Sequence, residues 1–325
     1  MENEKDALAE EVKATETAGD AALTATEENP LAYRKRKRRL GDRKDGRKLR
    51  TIEPMHRIMS YIMPKRSDAQ NTFADRLEVS RADEICRQKV REGKVNFSML
   101  HVMLAAYLRM MAERPGVNRF ISGQKVYARN EIVFVMAVKK ELTLNAPETL
   151  IKVRFEPSDT LDEVYEKFNS TATAAIASLD QPTEFDKLCK IINVIPGLFL
   201  RWTIKFLNFL DYFGWLPMSV ENLSPFHGSM IITSMGSLGI KPIYHHIYDF
   251  GNLPVFLSYG TKETVYEYDR KGNLTRHRFI GLKAVTDERI CDGHYFASAF
   301  KLFKKYVEHP DALEERPARV VEDID

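Results

Sequence analysis

Apolar and polar residues alternate over Thr72–Ser80, with Phe73, Leu77 and Val79 set against Asp75, Arg76 and Glu78, the period of a half-buried strand. Ser80 with Asp83 then resembles a helix cap, and Ile85, Cys86 and Val90 give Arg81–Arg91 one helical face. Ser98 is placed to cap a second helix, Met99–Ala112, which is apolar nearly all round and therefore belongs in a core. Ser122-Gly123-Gln124 and Arg129-Asn130-Glu131 read as turns around short strands at Lys125–Ala128 and Ile132–Val138. A strand at Leu150–Phe155 leads through Ser158-Asp159 into a helix from about Thr160 to Ala177. Residues 227–260 alternate between apolar runs (Met230–Ser234, Ile240–Ile247, Pro254–Tyr259) and glycine turns. The arms Thr264–Tyr268 and Arg276–Leu282 flank Lys271-Gly272-Asn273 and predict a hairpin, after which Cys291-Asp292-Gly293 enters a helix, His294–Val307. Strand, helix and hairpin signals mix through one region, which predicts an α/β or α+β domain.

The most hydrophobic segment is Ile191–Leu216. Pro196-Gly197 breaks it, and Arg201, Lys205, Asn208 and Asp211 fall on one stripe of a helix at Leu198–Phe213, opposite Phe199, Trp202, Phe206 and Phe213. Four polar groups make it a poor membrane span. Two roles stay open for this insertion, about residues 186–217: packing in a core or against another subunit, or contact with a membrane surface or acyl chain.

Charge changes the picture at the ends. Among the 325 residues, with formal charge +3, residues 1–30 carry −7, residues 31–50 carry +9, and the remainder is nearly neutral. We expect residues 1–50 to be a disordered arm, acidic then basic, and residues 311–325 to be a disordered charged tail, leaving one domain over 51–310. The basic run from Arg34 to Arg50 reads as a solvated linker folding back on the acidic arm, with contact to nucleic acid or an anionic membrane the less favoured alternative. Cys86, Cys189 and Cys291 form no CxxC pair, so neither a disulfide framework nor a zinc site is suggested. With no apolar signal-peptide core at the N-terminus, a cytoplasmic location is expected.

Two segments carry candidate chemistry. One is Met230-Ile231-Ile232-Thr233-Ser234-Met235-Gly236-Ser237-Leu238-Gly239; the other is Thr286-Asp287-Glu288-Arg289-Ile290-Cys291-Asp292-Gly293. Their order and separation resemble the superfamily of chloramphenicol acetyltransferases and the catalytic domains of dihydrolipoyl acyltransferases. That family places a Ser or Thr on a strand before a glycine turn, then a hairpin, then His-x-x-x-Asp-Gly opening a helix. Cys291-Asp292-Gly293 resembles the chloramphenicol side, and Asp287-x-Arg289 the dihydrolipoyl side. The resemblance implies a two-layer sandwich with a mixed sheet, a homotrimer with its site between subunits, and a coenzyme A thioester as co-substrate. By it, Thr233 is the oxyanion donor, with Ser234 beside it, and Asp292 a structural carboxylate at Gly293 with Arg57 as its partner. It implies no metal. A lipoyl domain of the multienzyme-complex type has no room in the charged first fifty residues.

The departure from the family is Glu288, which stands where the family has its catalytic His. An unperturbed carboxyl titrates at ~4.3 against ~6.5 for imidazole. The deficit is roughly 3 kcal/mol of driving force for thiol deprotonation, about a hundredfold in the equilibrium. Glu288 is therefore either a retuned base, since burial strengthens a carboxylate, or the mark of a catalytically inactive relative serving as a scaffold or binding module. His246 is the candidate replacement base, with His227, Ser234 and His245 as candidate substrate contacts and His294 just after the motif. On a strand, His245 and His246 point to opposite faces, so only one enters a common cavity. A metal site built from His227, His245 and His246 lacks the usual ligand spacing.

Overall fold

The computed structural model describes Tyr33 and residues 36–139, 148–177, 193–268 and 271–325. The acidic arm, Arg34-Lys35 and Cys189 lie outside the described residues.

Six strands form the main sheet in the order β2-β9-β8-β7-β5-β6. They are β2 (Gln70–Glu78), β5 (Ile132–Lys139), β6 (Glu148–Phe155), β7 (Met230–Ser234), β8 (Val255–Tyr268) and β9 (Leu274–Asp287). The sheet is mixed: β7 runs parallel to β5 and β8, and the β2–β9, β8–β9 and β5–β6 pairs are antiparallel. A smaller sheet, β1-β4-β3, joins β1 (Gly46–Lys48), β4 (Lys125–Arg129) and β3 (Arg119–Ser122).

Helices α1 (Pro54–Ile62), α2 (Ser80–Arg91), α3 (Met99–Glu113), α4 (Leu161–Ala177), α5 (Gly197–Tyr212), α6 (Met218–Leu223) and α7 (Gly293–Glu308) accompany the two sheets. The core lies between one face of the main sheet and α2, α3, α4 and α7. Helix α3 is buried from Met99 to Ala112 except Leu100, the consequence of an apolar surface on all sides. Period-2 geometry assigns the faces. Ile232, Leu257 and Tyr259 point into the core, whereas Thr233, Phe256 and Ser258 occupy the face away from the helices.

Several expectations are corrected. The apolar stretch Ile240–Ile247 is not a strand. Both edges of β8 are already taken by β7 and β9, and Pro242, which has no N–H to donate, rests on Gly260 and Gly281, where a Cβ would come within 2.4 and 3.1 Å of its ring. The runs Pro254–Tyr259 and Thr264–Tyr268 are one strand, β8, with an irregularity between Tyr259 and Lys262. Ser80 lies inside α2 with Val79 as the cap residue, and Asp83 pairs with Lys262 and Arg278 on the β8–β9 hairpin instead of closing a capping box.

Neither charged end is wholly loose. From Arg36 onward the basic segment is ordered, and the tail after Pro310 packs on the domain. Val320 and Val321 are buried, and Val321 N–H donates to the Ala112 carbonyl. Arg119 holds Asp323, while Arg36 reaches Glu322 and Arg39 and Arg47 reach Asp325. Among the described residues the basic run meets Glu322 and Asp325 of the C-terminus and also Asp42, Asp45, Asp211 and Glu221, while the acidic arm lies outside them. Nor is α5 a core helix: its single buried residue is Asp211.

Candidate functional site

Thr233 lies at the end of β7, in the middle of the sheet, registered with Ser258 on β8. The chain then turns sharply: Met235 N–H donates to the Tyr259 carbonyl, a 3-10 turn spans Gly236–Leu238, and Gly239 takes φ 75°. Gly236 is required, because a Cβ there would lie 2.6 Å from the Gly260 carbonyl oxygen. Thr233 is half-buried and its hydroxyl makes no hydrogen bond among the described residues. Ser234 points the other way, into the core, where its hydroxyl is hydrogen-bonded to Tyr259.

Glu288 follows the last residue of β9. Its N–H donates to the Ala69 carbonyl, and its half-buried carboxylate has no hydrogen-bond or ion-pair partner among the described residues. The residues either side are locked. Arg289 Nε and Nη2 meet the two oxygens of Asp287 at 2.8 and 2.7 Å, both side chains being almost fully buried. Arg66 Nε lies 3.5 Å from the same carboxylate, and Arg289 Nη1 donates to the Met63 carbonyl. His56 Nε2 meets the Arg289 carbonyl at 2.8 Å. This clamp fixes the backbone at Glu288 without engaging its side chain. The spacing Asp287-x-Arg289 was visible in the sequence; the part played by Arg66, more than two hundred residues away, carried no sequence signal.

The chain does not bring Thr233 and Glu288 together. Thr233 is registered through Ser258 with Lys283, and Glu288 lies five residues further along β9. Strand geometry makes that about 17 Å along and about 10 Å across the sheet, a separation of about 20 Å. Neither residue lines the cavity of about 270 Å³ bounded by Arg66, Asp211, Tyr212, Asp249 and Arg289, nor the larger one of about 520 Å³ between the basic segment and the tail.

The remaining candidates separate. Asp292 is not paired with Arg57: its carboxylate accepts from Tyr295 N–H and caps α7, and Gly293 is the first residue of that helix. Arg57 is exposed and donates to the Arg50 carbonyl. His245 stacks on Phe256, ring centroids 4.2 Å apart, and burial pushes its pKa down. His246 is exposed against Tyr248. Both lie on irregular chain and not on a strand, so strand alternation does not set their directions. His227 is buried below the start of β7, its Nδ1 2.8 Å from Ser224 Oγ, and burial holds it well below the ordinary imidazole range. His294 is exposed at the start of α7. Cys291 is buried, which pushes its thiol well above the ordinary range and away from a nucleophile's role. Among the described residues no three His, Cys, Asp or Glu side chains group as metal ligands.

Sequence alone also missed a buried ionic cluster below β7. Arg43 joins Asp45, Asp211 and, at 3.4 Å, Glu221. Lys152 Nζ donates to the Glu221 and Ser224 carbonyls. Burial, reinforced by Asp45, pushes Glu221 up to about 7. Burial, reinforced by Arg129 and Arg154, pushes Lys152 down to about 7.

No protein-family model and no curated protein matches the sequence. Solved structures match it in shape. A probable dihydrolipoamide acetyltransferase from Listeria monocytogenes 4b F2365 superposes with TM-score 0.51 and 12% identity, over 81% of this chain and 95% of that one. A chloramphenicol acetyltransferase aligns with TM-score 0.46 and 15% identity over 82% and 99% of the two chains. A truncated catalytic core of the 2-oxoacid dehydrogenase multienzyme complex from Thermoplasma acidophilum gives 0.46 and 15% over 82% and 100%. At such identities the likeness is one of fold. Superposed along nearly the whole Listeria chain, this protein has the chloramphenicol acetyltransferase-like fold of the dihydrolipoyl acyltransferase catalytic domains, and its own mixed sheet, long β8–β9 hairpin and Asp292-capped helix are the elements of that fold described above.

Proposed function

We propose that the protein transfers an acyl group from a coenzyme A thioester to a thiol, hydroxyl or amine acceptor, in a site shared between two subunits of a homotrimer. Thr233 of one copy supplies the oxyanion donor and Glu288 of the next supplies the base. The observation that carries this reading is the clamp at Asp287–Arg289, which fixes the backbone of Glu288, whose carboxylate has no partner among the described residues and stands about 20 Å from a Thr233 hydroxyl that likewise has none among them. Two free functional groups on one domain, too far apart to meet, fit a site completed by a second copy.

The chemistry follows from the groups. Glu288 takes the proton of the acceptor X–H, X attacks the thioester carbonyl, and Thr233 donates to the developing oxyanion. The C–S bond then breaks, and coenzyme A leaves with the proton held by Glu288. A carboxylate shielded from water by a second copy is a stronger base than an exposed one, which offsets its deficit against imidazole. Asp292 acts indirectly, by capping the helix that follows the motif.

The test is release of free coenzyme A from acetyl-CoA with a panel of thiol, hydroxyl and amine acceptors. Thr233→Ala lowers kcat/KM by about 10²–10³, and Glu288→Gln abolishes turnover. Co-assembly of the two variants restores activity above that of either alone, because one kind of shared site then has both residues. A panel that yields no turnover, with activity appearing only in Glu288→His, sinks the enzyme reading. It would establish the second one, a non-catalytic scaffold or binding module, which the substitution of Glu for the family His favours.

A further inference from the structure

Helix α5 is amphipathic in an unusual sense, with its outward side the more apolar. Leu198, Phe199, Trp202, Phe206, Phe209 and Phe213 fall within about 100° of arc, and all are exposed, Trp202 to 64%. Trp215, 63% exposed, stacks on Phe213 with ring centroids 5.0 Å apart and extends the stripe. The inward side is marked by half-buried Leu200 and Leu207 and by buried Asp211.

The stripe is held out by a rigid foot. Asp211 is bound by Arg43, its carbonyl accepts from Ser122 Oγ, and the Tyr212 hydroxyl donates to Gln124 Oε1. Gly123 leaves no room for a side chain against the Tyr212 carbonyl. Charge is sorted in the same way. Asp211, the only acid between residues 193 and 217, is consumed inward, while Arg201 and Lys205 are exposed along one edge of the stripe, Lys205 lying 5.4 Å over the Trp202 ring. Helix α1 is tied to the same turn through Ser60 Oγ and the Gln124 carbonyl, and it exposes Met55, Ile58, Tyr61 and Ile62 beside Arg57.

We propose that α5, with α1 beside it, docks on an anionic lipid bilayer at the boundary between headgroups and acyl chains. An exposed aromatic stripe edged by cations, with its one acid withdrawn, is the charge and polarity pattern that such a boundary complements. The proposal does not depend on the acyl-transfer reading. No helix of the described residues is long and apolar enough to cross a membrane, and the contact proposed is a peripheral one.

The chain has two tryptophans, Trp202 and Trp215, so tryptophan emission, excited beyond the tyrosine absorption band, reports this surface alone. The intact protein is titrated with vesicles of phosphatidylcholine containing 30% phosphatidylglycerol, and with phosphatidylcholine alone. Emission shifts to the blue and is quenched by brominated acyl chains, and partition is at least tenfold stronger onto the anionic vesicles. Arg201→Ser with Lys205→Ser weakens that partition about 25-fold, about fivefold per cation, and Phe199→Ser with Phe206→Ser weakens it on both vesicle types. These positions are exposed, and an unchanged circular dichroism spectrum confirms folding. The proposal is overturned by no response to vesicles, by equal partition onto both compositions, or by a blue shift that follows protein concentration without lipid. The last result would assign the stripe to contact between copies of this chain.

Discussion

Replacing Asp287 by alanine removes the carboxylate shared by two buried guanidinium groups. Asp287 is 0% and Arg289 2% exposed, so water cannot take over the lost hydrogen bonds. The Arg289 Nε and Nη2 donors, 2.8 and 2.7 Å from the carboxylate, are left unmatched, and Arg66 loses its 3.5 Å contact. Breaking one side of a buried pair costs about 3–5 kcal/mol, because a charge is left behind in a poor solvent. For a domain of this size that lowers Tm by roughly 6–15 °C. Urea unfolding should show the midpoint falling with an unchanged slope. Glu288→Gln is the internal control: its side chain has no partner among the described residues, so its unfolding free energy should change by less than about 0.5 kcal/mol. Arg289→Met added to Asp287→Ala should recover part of the loss, as one stranded charge is removed. A loss under about 1 kcal/mol in Asp287→Ala would refute the claim that this clamp positions Glu288.

Two further outcomes are expected. The first concerns pH. Glu221, raised to about 7 from 4.5, keeps a proton in the folded chain that the unfolded chain has lost, so stability falls by about 3 kcal/mol as pH rises between those values. Lys152, lowered from 10.5 to about 7, is neutral when folded while the unfolded chain still holds its proton, so stability rises with pH above about 7. These two groups together place a stability minimum near pH 7. In unfolding titrations Glu221→Gln should flatten its acid limb and Lys152→Met its alkaline limb. The second concerns Gly236→Ala, whose Cβ would lie 2.6 Å from a main-chain oxygen of β8. The turn after Thr233 must shift, so the variant should lose about 1–3 kcal/mol of stability, and coenzyme A release should fall with it; full retention of both would show that the turn does not set Thr233.

Much of the fold was legible locally. The alternation at Phe73, Leu77 and Val79, the all-round apolar surface of Met99–Ala112 and the hairpin around Gly272 each appear as the element expected. Such patterns follow from side-chain periods of 2 and 3.6 along one stretch of chain. The spacing of Thr233, Asp287-x-Arg289 and Asp292-Gly293 was sufficient to indicate the fold that superposition then supported.

Tertiary structure decided whatever depended on a partner distant in sequence. Ile240–Ile247 has a strand's apolar pattern, but both edges of β8, the strand it lies against, are already taken by β7 and β9. The tail after Pro310 has a disordered segment's charge, yet Arg119 and the basic segment supply the opposite charges that order it. The pattern of α5 was read correctly as amphipathic, while its direction was set by Arg43, far away in the chain, which draws Asp211 inward and turns the aromatic stripe out. Periodicity determines which face of an element is apolar. Which face is covered depends on edges, charges and glycine gaps that only the folded chain brings together.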